Sequence, residues 1–268
     1  MSSFGWVPSD TDVNRPNIAR IHDYHLGGSH HFPADRWVAA QAVDESPDLP
    51  ALARANRDFL QRAVRFLSAA GVHQFLDFGS GLPTAGNVHE VAQQADPRAR
   101  VVYVDVDPVT VAHGRALLAG IDTAEIVRAD LRDVRRVLTA PALRHLIDFT
   151  QPVGVVMVSV LHLLPFSDNP TGIVARYHDA LPAGSYLALS YPSAEGPKTA
   201  SDSPAKDAGT PLNRPNSRTR KEVADMLVGW QLVAPGLVSP EQWQPDGPEP
   251  ITTNPAQHRY LAAVACKR

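Results

Sequence analysis

Two apolar segments, each followed by a polar loop, constrain the fold of this chain more than any other feature. The first segment, residues 74–78, contains Asp77 and runs into a Gly-Ser-Gly turn at residues 79–81. The second segment, residues 101–104, ends at Asp105. Because glycine lacks a β-carbon, the backbone N–H groups of such a turn can approach a ligand closely. A carboxylate at the end of the next strand can accept both hydroxyl protons of a ribose, so the two segments predict a nucleoside-binding α/β domain.

The residues around the glycine turn distinguish two classes of nucleoside cofactor. A dinucleotide-binding turn follows G-x-G-x-x-G/A, in which the last small residue lets the helix pack beside a pyrophosphate. This chain has Thr84 at that position, preceded by Pro83. The acidic Asp77 before Gly79 and Gly81 suits a cationic ligand without phosphate, such as S-adenosylmethionine, whose amino group and sulfonium are both positive. The turn therefore favours S-adenosylmethionine as cofactor, and a nicotinamide-dependent oxidoreductase is the less favoured alternative.

Strand patterns and helix patterns alternate along the rest of the chain. They occur at residues 109–119 (helix), 124–131 (strand), 153–164 (strand and its exit), 171–181 (helix), 184–191 (strand), 218–230 (helix), 231–238 (strand) and 259–265 (strand). Strands that alternate with helices imply right-handed crossovers and a mostly parallel sheet.

The front of the chain has a different organisation. Helices are predicted at residues 16–26, 34–43 and 49–70, with Pro16 in a first helical turn and Gly27-Gly28 at a helix end. The sequence thus predicts an N-terminal helical section over residues 1–70 and a core over residues 71–268. Two stretches rich in proline and small polar residues, 192–215 and 240–255, predict loops. The first of these could be a lid, although a passive surface loop is the commoner case.

The front section also carries a specific family motif. Residues 14–28 read NRPNIARIHDYHLGG and resemble P-x-x-A-R-x-x-D-Y-x-L-G-G, the opening of a bacterial family of S-adenosylmethionine-dependent methyltransferases long catalogued as a domain of unknown function. Further segments resemble the same family, at residues 56–64, 74–84, 104–109 and 111–115. The family often has Thr where this chain has Ser80, and both residues carry a hydroxyl.

The resemblance implies an α/β fold and a function. The fold is the class I methyltransferase, Rossmann-like fold, with a seven-stranded, mostly parallel sheet and an N-terminal helical cap. Residues 259–265 would supply its antiparallel seventh strand. The implied function is methyl transfer from S-adenosylmethionine to an unidentified acceptor. A non-catalytic protein that only binds this cofactor is the alternative.

The strand exits and the resemblance together give a set of candidate site residues. The candidate cofactor contacts are Arg20, Tyr24, Asp77, Gly79, Ser80, Gly81, Asp105, Val106, Asp130, Leu131 and Ser159. In such methyltransferases an acidic residue after the third strand commonly bonds the adenine amino group, and Asp130 matches it. Asp105 would bind the ribose, whereas Asp107 is the better candidate for capping the next helix. His162 is the candidate catalytic residue, and a neutral packing role fits it equally well.

The first predicted helix carries residues that could face the ligand. Arg20 and Tyr24 are four residues apart and share a helix face. We predict that the helix covers the cofactor crevice, with Arg20 or Tyr24 facing the ligand and His22 or His25 lining the acceptor side. Alternatively, the helix packs on a distant face and only stabilises the sheet. The spacing of His22 and His25 can bind zinc, but the sequence has no further context for a metal, and we predict none.

Composition excludes several classes of function. The net charge of −3 and the pI near 6.4 provide no general basic field for binding nucleic acid. The single cysteine, Cys266, excludes an intramolecular disulfide. A secretion signal and an apolar run of membrane-spanning length are both missing, so we expect a cytoplasmic protein. The preference for arginine over lysine, with abundant Ala and Pro, is typical of a GC-rich bacterial genome.

The exit of the fourth strand bears on the methyl acceptor. It reads Ser-Val-Leu-His at residues 159–162 and lacks the Asn/Asp-Pro-Pro-Phe/Tyr sequence used for amide or exocyclic base nitrogens. This exit resembles that of many enzymes that methylate small molecules. The sequence therefore favours a small-molecule acceptor, and it leaves the oligomeric state open.

Overall fold

Seven β-strands form one sheet in the centre of the molecule. A computed structural model describes residues 12–82, 86–195, 216–247 and 259–268, and the architecture given below is that of these ranges. The strands are β1 (Gln74–Phe78), β2 (Arg100–Asp105), β3 (Ala124–Arg128), β4 (Gly154–Val158), β5 (Tyr186–Pro192), β6 (Gln231–Leu232) and β7 (Tyr260–Cys266). Their order in the sheet is β3-β2-β1-β4-β5-β7-β6. Strands β1 to β5 are parallel, whereas β7 pairs antiparallel with both β5 and β6.

Helices cover both faces of this sheet. They are α1 (Ile18–His25), α2 (Pro33–Glu45), α3 (Leu49–Ala69), α4 (Val88–Ala95), α5 (Pro108–Leu117), α6 (Val134–Leu138), α7 (Pro141–Leu146), α8 (Pro170–Ala180) and α9 (Arg220–Met226). Because side chains alternate along a strand, Phe75 and Leu76 point into two different hydrophobic clusters. Helices α6 to α9 pack on the Leu76 side, and α3 to α5 pack on the Phe75 side.

The helix α3 links the front section to the sheet. Its apolar stripe includes Phe59, Ala63 and Leu67, which are fully buried in the same cluster as Phe75 of β1. Helices α1 and α2 instead share a small cluster of their own, centred on Ile21. The division at residue 70 remains a prediction, and α3 takes part in the core of the sheet although it precedes that boundary.

The predicted fold class is confirmed, with some differences in detail. Helix α1 begins at Ile18 because the Asn17 side chain accepts hydrogen bonds from the first backbone N–H groups and caps the helix. The predicted strand at 231–238 is reduced to the two residues of β6, since Pro235 cannot donate to a ladder. The loop predicted at 192–215 lies almost entirely outside the described residues. No helix within the described ranges has both the length and the apolar character needed to cross a membrane.

Candidate active site

The glycine turn and the end of β2 form one hydrogen-bonded unit. The N–H of Gly79 donates to the carbonyl oxygen of Val104 at 2.8 Å. The N–H of Gly81 donates to Oδ2 of Asp105 at 3.1 Å, and Oδ1 of Asp105 accepts from the N–H of Asp107 at 2.9 Å. The Asp105 carboxylate, which the sequence predicts to bind the ribose, therefore links the carboxyl ends of β1 and β2.

The two glycines of this turn have the same backbone conformation but different surroundings. Both have a φ of +63°, in the left-handed region that favours glycine. A β-carbon on Gly79 would lie 2.3 Å from Cγ2 of Val160, so glycine is required there by packing against the β4 exit. A β-carbon on Gly81 would meet no atom of the described residues within 4 Å. Those residues leave the space beside Gly81 open, as a ligand that approaches the turn would need.

Two buried carboxylates lie beneath the turn. Burial raises the pKa of Asp77 to about 7; the Arg57 guanidinium opposes this rise and the Asp105 carboxylate adds to it. Burial also raises the pKa of Asp105, against the hydrogen bonds that its carboxylate accepts from the N–H groups of Asp107 and Gly81. Water is largely excluded from both groups, and a cation bound here would be strongly favoured.

The adenine candidates lie at the exits of β2 and β3. The Val106 side chain is 57% exposed, which is unusual for an apolar residue directly after a buried strand, while Leu131 is buried. The Asp130 carboxylate accepts hydrogen bonds from the backbone and guanidinium of Arg132, which lower its pKa. Arg132 also donates to Asp168 at 2.6 Å, so one guanidinium connects the β3 exit to the segment after β4.

The β4 exit carries Ser159 and His162. Ser159 has a φ of +56°, and its N–H donates to Oγ of Ser190 on β5 at 3.0 Å. His162 is 7% exposed, and within the described part of the chain its Nδ1 has no hydrogen-bond partner. Burial lowers the pKa of His162 to about 4, so the ring is neutral at pH 7.

The start of α1 docks on the loop that follows β2. The Nδ2 of Asn17 donates to Oδ1 of Asp107 at 3.1 Å, and the same carboxylate caps α5 by accepting from the N–H of Thr110 at 2.9 Å. Arg20 is 2% exposed; its Nε donates to Asp35 at 2.8 Å, and its Nη1 lies 3.9 Å from Asp107. Helix α1 therefore lies beside the end of β2 and not on a distant face of the sheet.

Further α1 and α3 side chains approach the crevice. The pKa of His22 is lowered to about 3 by burial and, in smaller measure, by the charges of Arg57, His25 and His162. Because His162 is among the groups that lower the pKa of His22, the front section lies close to the β4 exit. Tyr24 lies differently, since its ring packs edge-on against His31 with centroids 5.2 Å apart and joins the small cluster around Ile21.

Several residues of this region escaped the sequence reasoning. Arg57 and Asn56 come from α3, where Asn56 interrupts an otherwise apolar helix stripe and is only 3% exposed. A polar residue inside an apolar stripe is a usable signal, because buried amides need specific hydrogen-bond partners. Tyr260 and Ser190 carried no comparable signal, because each lies in a mostly apolar segment that already reads as a buried strand. No cluster of three metal-ligating side chains occurs among the residues described, and the prediction of no metal remains a prediction.

Comparison with known proteins identifies the family. A model of the S-adenosyl methyltransferase family matches residues 5–268. The chain belongs to the S-adenosyl methyltransferase family. It is thus a methyltransferase that uses S-adenosylmethionine, and its acceptor is not identified. No curated protein matches the chain significantly.

Solved structures agree with this assignment. A DUF574 family protein from Streptomyces avermitilis MA-4680 is 36% identical, with 96% of this chain and 99% of that chain covered and a TM-score of 0.85. A candidate methyltransferase from Thermobifida fusca YX is 38% identical, with 99% and 100% covered and a TM-score of 0.88. These matches confirm the family resemblance predicted from the front motif.

A more distant structure supports the fold alone. The Burkholderia thailandensis 1,6-didemethyltoxoflavin-N1-methyltransferase, solved with 1,6-didemethyltoxoflavin and S-adenosylhomocysteine, is 18% identical to this S-adenosyl methyltransferase. The comparison covers 97% of this chain and 94% of that chain, with a TM-score of 0.51. The seven-stranded sheet described above is therefore the class I methyltransferase fold.

Proposed function

We propose that this methyltransferase binds its cofactor across the exits of β1 and β2 and methylates a small molecule beside His162. The observation that carries the proposal is the Gly81–Asp105 unit, in which a buried carboxylate lies next to the space beside Gly81 that no described residue fills. Each Asp105 oxygen has two lone pairs and accepts one backbone N–H, so each can also accept a ribose hydroxyl.

The amino-acid end of the cofactor would lie at Asp77 and Arg57. These two groups interact electrostatically beneath the glycine turn, and burial disfavours the charge on each of them. An ammonium paired with Asp77 and a carboxylate paired with Arg57 would balance both charges in a region that excludes water. Ser80, whose buried Oγ has no partner among the described residues, would add a hydroxyl to this end of the site.

The adenine would lie between Val106 and Leu131. The exposed Val106 side chain offers an apolar surface for one face of the ring, and Asp130 offers an acceptor for the exocyclic amino group. Because Arg132 already donates to both Asp130 oxygens, the guanidinium would have to give up part of that contact when adenine binds. Arg132 would then remain attached to Asp168.

The front section would act as a cover that excludes water from the reacting carbon. In this proposal Arg20 positions α1 through Asp35 and Asp107 and does not touch the cofactor, since its guanidinium is already held by protein groups. Tyr24 packs α1 against its neighbours in the same way. Of the α1 residues, His22 is the one we place toward the acceptor side.

The chemistry assigned to the chain's own residues is modest. S-adenosylmethionine would supply a methyl group on a sulfonium sulfur: the acceptor lone pair would bond to the methyl carbon in line as the carbon–sulfur bond breaks, and S-adenosylhomocysteine would leave. His162 is neutral at pH 7, and its unpartnered Nδ1 can accept a hydrogen bond from an acceptor O–H or N–H and orient the lone pair. A base whose pKa is about 4 holds a proton poorly, so the proton of the acceptor would pass on to solvent.

Calorimetric titration with S-adenosylhomocysteine tests the cofactor site. We expect micromolar affinity, about −8 kcal/mol, and no binding of NADH. Asp105→Ala should weaken the affinity at least tenfold, because a hydrogen bond to a charged group contributes about 1.5–3 kcal/mol. Asp122→Ala is the matched control, since Asp122 is exposed and precedes β3, at the amino-terminal end of the parallel strands, whereas Asp105 lies at their carboxyl end. Equal affinity for the two variants would refute the ribose assignment.

Hydrogen exchange tests the cover. Binding of S-adenosylhomocysteine should slow amide exchange in residues 16–28 as well as in the loops at Gly79 and Asp105. Protection confined to those two loops would give α1 a purely structural role.

A further inference from the structure

A chain of hydrogen bonds runs from helix α3 to the β4 exit. The Oδ1 of Asn56 accepts from the hydroxyl of Ser190 at 2.5 Å, and Oγ of Ser190 accepts from the N–H of Ser159 at 3.0 Å. The Nδ2 of Asn56 donates to the carbonyl oxygen of Leu52 at 3.0 Å, which fixes the amide orientation. Asn56 and Ser190 are 3% and 0% exposed, so no water competes for these bonds.

This chain ends at a residue with an unfavourable backbone. Ser159 has a φ of +56°, which residues other than glycine adopt at a cost. The bond from its N–H to Ser190 holds that conformation, and Oγ of Ser159 then lies 3.3 Å from Oη of Tyr260. A strained residue held by buried partners at the end of a central strand is typical of a functional position.

The hydroxyl pair of Ser159 and Tyr260 lies among aromatic rings. The His162 ring meets the Tyr260 ring at 6.1 Å and the Tyr191 ring at 6.2 Å, edge to face in both cases. His162 is more than nine-tenths buried, and its Nδ1 lacks a partner in the described part of the chain. Ser159, Tyr260 and His162, which can all form hydrogen bonds, therefore lie among flat aromatic rings.

The charges around these rings argue against an ionic ligand. Burial alone lowers the pKa of His162, with no contribution from a neighbouring charge. The Arg218 guanidinium lies over the rings of Phe166 and Tyr191, with distances of 4.8 Å and 5.9 Å to their centroids; its Nε has no hydrogen-bond partner in the described part of the chain, but its charge makes no contribution at His162. A charged group beside His162 would be buried without a partner, which is costly, whereas a neutral polar group would be matched.

We propose that Ser159, Tyr260 and His162 form the acceptor subsite, and that it takes a neutral, flat ring bearing an O–H or N–H group. Asn56 and Ser190 are positioning residues that set this subsite from the front section. The inference rests on the proposed function, because it takes methyl transfer to occur at the β4 exit. It adds the chemical class of the acceptor and the source of the subsite's geometry.

Fragment binding tests the ligand class. The protein is saturated with S-adenosylhomocysteine and titrated with phenol, benzoate and toluene, with binding followed by protein NMR. We expect phenol to bind more tightly than either of the others. Tyr260→Phe should weaken phenol about two- to tenfold, as expected for one neutral hydrogen bond, and leave toluene unchanged. Absence of phenol binding, or tighter binding of benzoate, would overturn the proposal.

A matched pair of serines tests the positioning chain. Ser185 is also fully buried, and its Oγ accepts from the N–H of Val153 at 3.1 Å at the other end of β4 and β5. Ser185→Ala removes this one bond, whereas Ser190→Ala removes the bonds to both Ser159 and Asn56, so both variants should lose stability and Ser190→Ala should lose more. Only Ser190→Ala should weaken phenol binding, whereas both variants should bind S-adenosylhomocysteine as the parent does.

The two serine variants keep this proposal separate from the cofactor assignment. If S-adenosylhomocysteine fails to bind the parent protein, the proposed function fails, and the acceptor subsite, which rests on it, fails with it. If it binds and Ser190→Ala matches Ser185→Ala in phenol affinity, the positioning role is refuted. A crystal structure of Ser190→Ala should show Ser159 outside the left-handed region, and an unchanged φ would contradict the mechanism proposed for Ser190.

Discussion

Alanine substitution at Gly79 and at Gly81 offers a sharp test, because the two positions share a backbone conformation. Each has a φ of +63°, and a residue with a β-carbon pays about 1–2 kcal/mol to adopt the left-handed region. The new methyl of Gly81→Ala would meet no atom of the residues that the structure describes. We therefore expect Gly81→Ala to lower the free energy of unfolding by about 1–2 kcal/mol and by no more.

Gly79→Ala adds a steric term to the same backbone cost. Its β-carbon would lie 2.3 Å from Cγ2 and 2.8 Å from Cβ of Val160, which belongs to the buried β4 exit. Overpacking of this kind costs about 1–3 kcal/mol, so the total loss should reach about 2–5 kcal/mol. Val160→Ala in the same chain should recover part of the steric cost, because it removes the Cγ2 contact and leaves the Cβ of residue 160 at 2.8 Å.

Cofactor affinity should follow the opposite order. The methyl of Gly81→Ala would occupy the open space beside the turn, where the proposed function places the ligand. We expect S-adenosylhomocysteine to bind Gly81→Ala at least tenfold more weakly, a difference of about 1.4 kcal/mol. The Gly79→Ala, Val160→Ala double variant should lose less, because its new atoms fill protein space.

Urea unfolding and calorimetry together decide the matter. Unfolding gives the loss of stability for each variant, and titration with S-adenosylhomocysteine gives the loss of affinity. Equal stability losses for Gly79→Ala and Gly81→Ala would refute the packing argument. Parent-like affinity in Gly81→Ala would refute the placement of the ligand, whatever the stability data show.

Three further outcomes follow from the buried ionisable groups. Asp105→Asn should lower the free energy of unfolding by about 1–3 kcal/mol, because the single oxygen of Asn cannot accept from the N–H groups of both Gly81 and Asp107. Urea unfolding would detect this loss, and a parent-like free energy of unfolding would contradict it. The affinity for S-adenosylmethionine should fall as the pH drops below about 7, since protonation of Asp77 removes the partner of the ammonium; calorimetry of Asp77→Asn should show no such pH dependence. The folded pKa of His162, about 4, lies below its unfolded value, so stability should decrease as the pH falls from about 6.5 to 4, by up to about 1.4 kcal/mol per pH unit. In His162→Gln the dependence of stability on pH should be smaller by up to about 1.4 kcal/mol per pH unit, which corresponds to one proton. An unchanged dependence would mean that the ring is not buried as neutral imidazole.

The sheet was predictable from the sequence because local pattern and burial agree there. Most residues of the five parallel strands are apolar, and the turn after β1 has the glycines that its backbone requires. Packing of α3 on the sheet also follows from a stripe that includes Phe59 and Leu67. The order of the strands in the sheet follows from the family resemblance, because the residue pattern of a single segment does not show which strand lies beside it.

The roles within the front section were harder to predict. Helical spacing predicts that Arg20 or Tyr24 faces the ligand, and this stays a prediction; the ion pair of Arg20 with Asp35 on another helix has no signal in the α1 sequence. Asn56 depends in the same way on Ser190, a residue far along the chain. Helical spacing shows which residues share a face, but it cannot show which distant group satisfies a buried polar side chain. The site is therefore predictable where it is made by strand ends and not where it is made by contacts between elements.

The position of β7 has a consequence for how the protein is made. Strand β5 is apolar and buried on both faces, and β7, which covers its free edge, follows it by more than sixty residues. While the ribosome is still producing residues 193–259, β5 has no partner on that side and presents an open edge of unpaired amide groups. Such an edge is prone to pair with other chains. Expression of this protein should therefore respond to chaperone supply and to slower translation, and changes that delay the emergence of β7 should increase aggregation without altering the finished molecule.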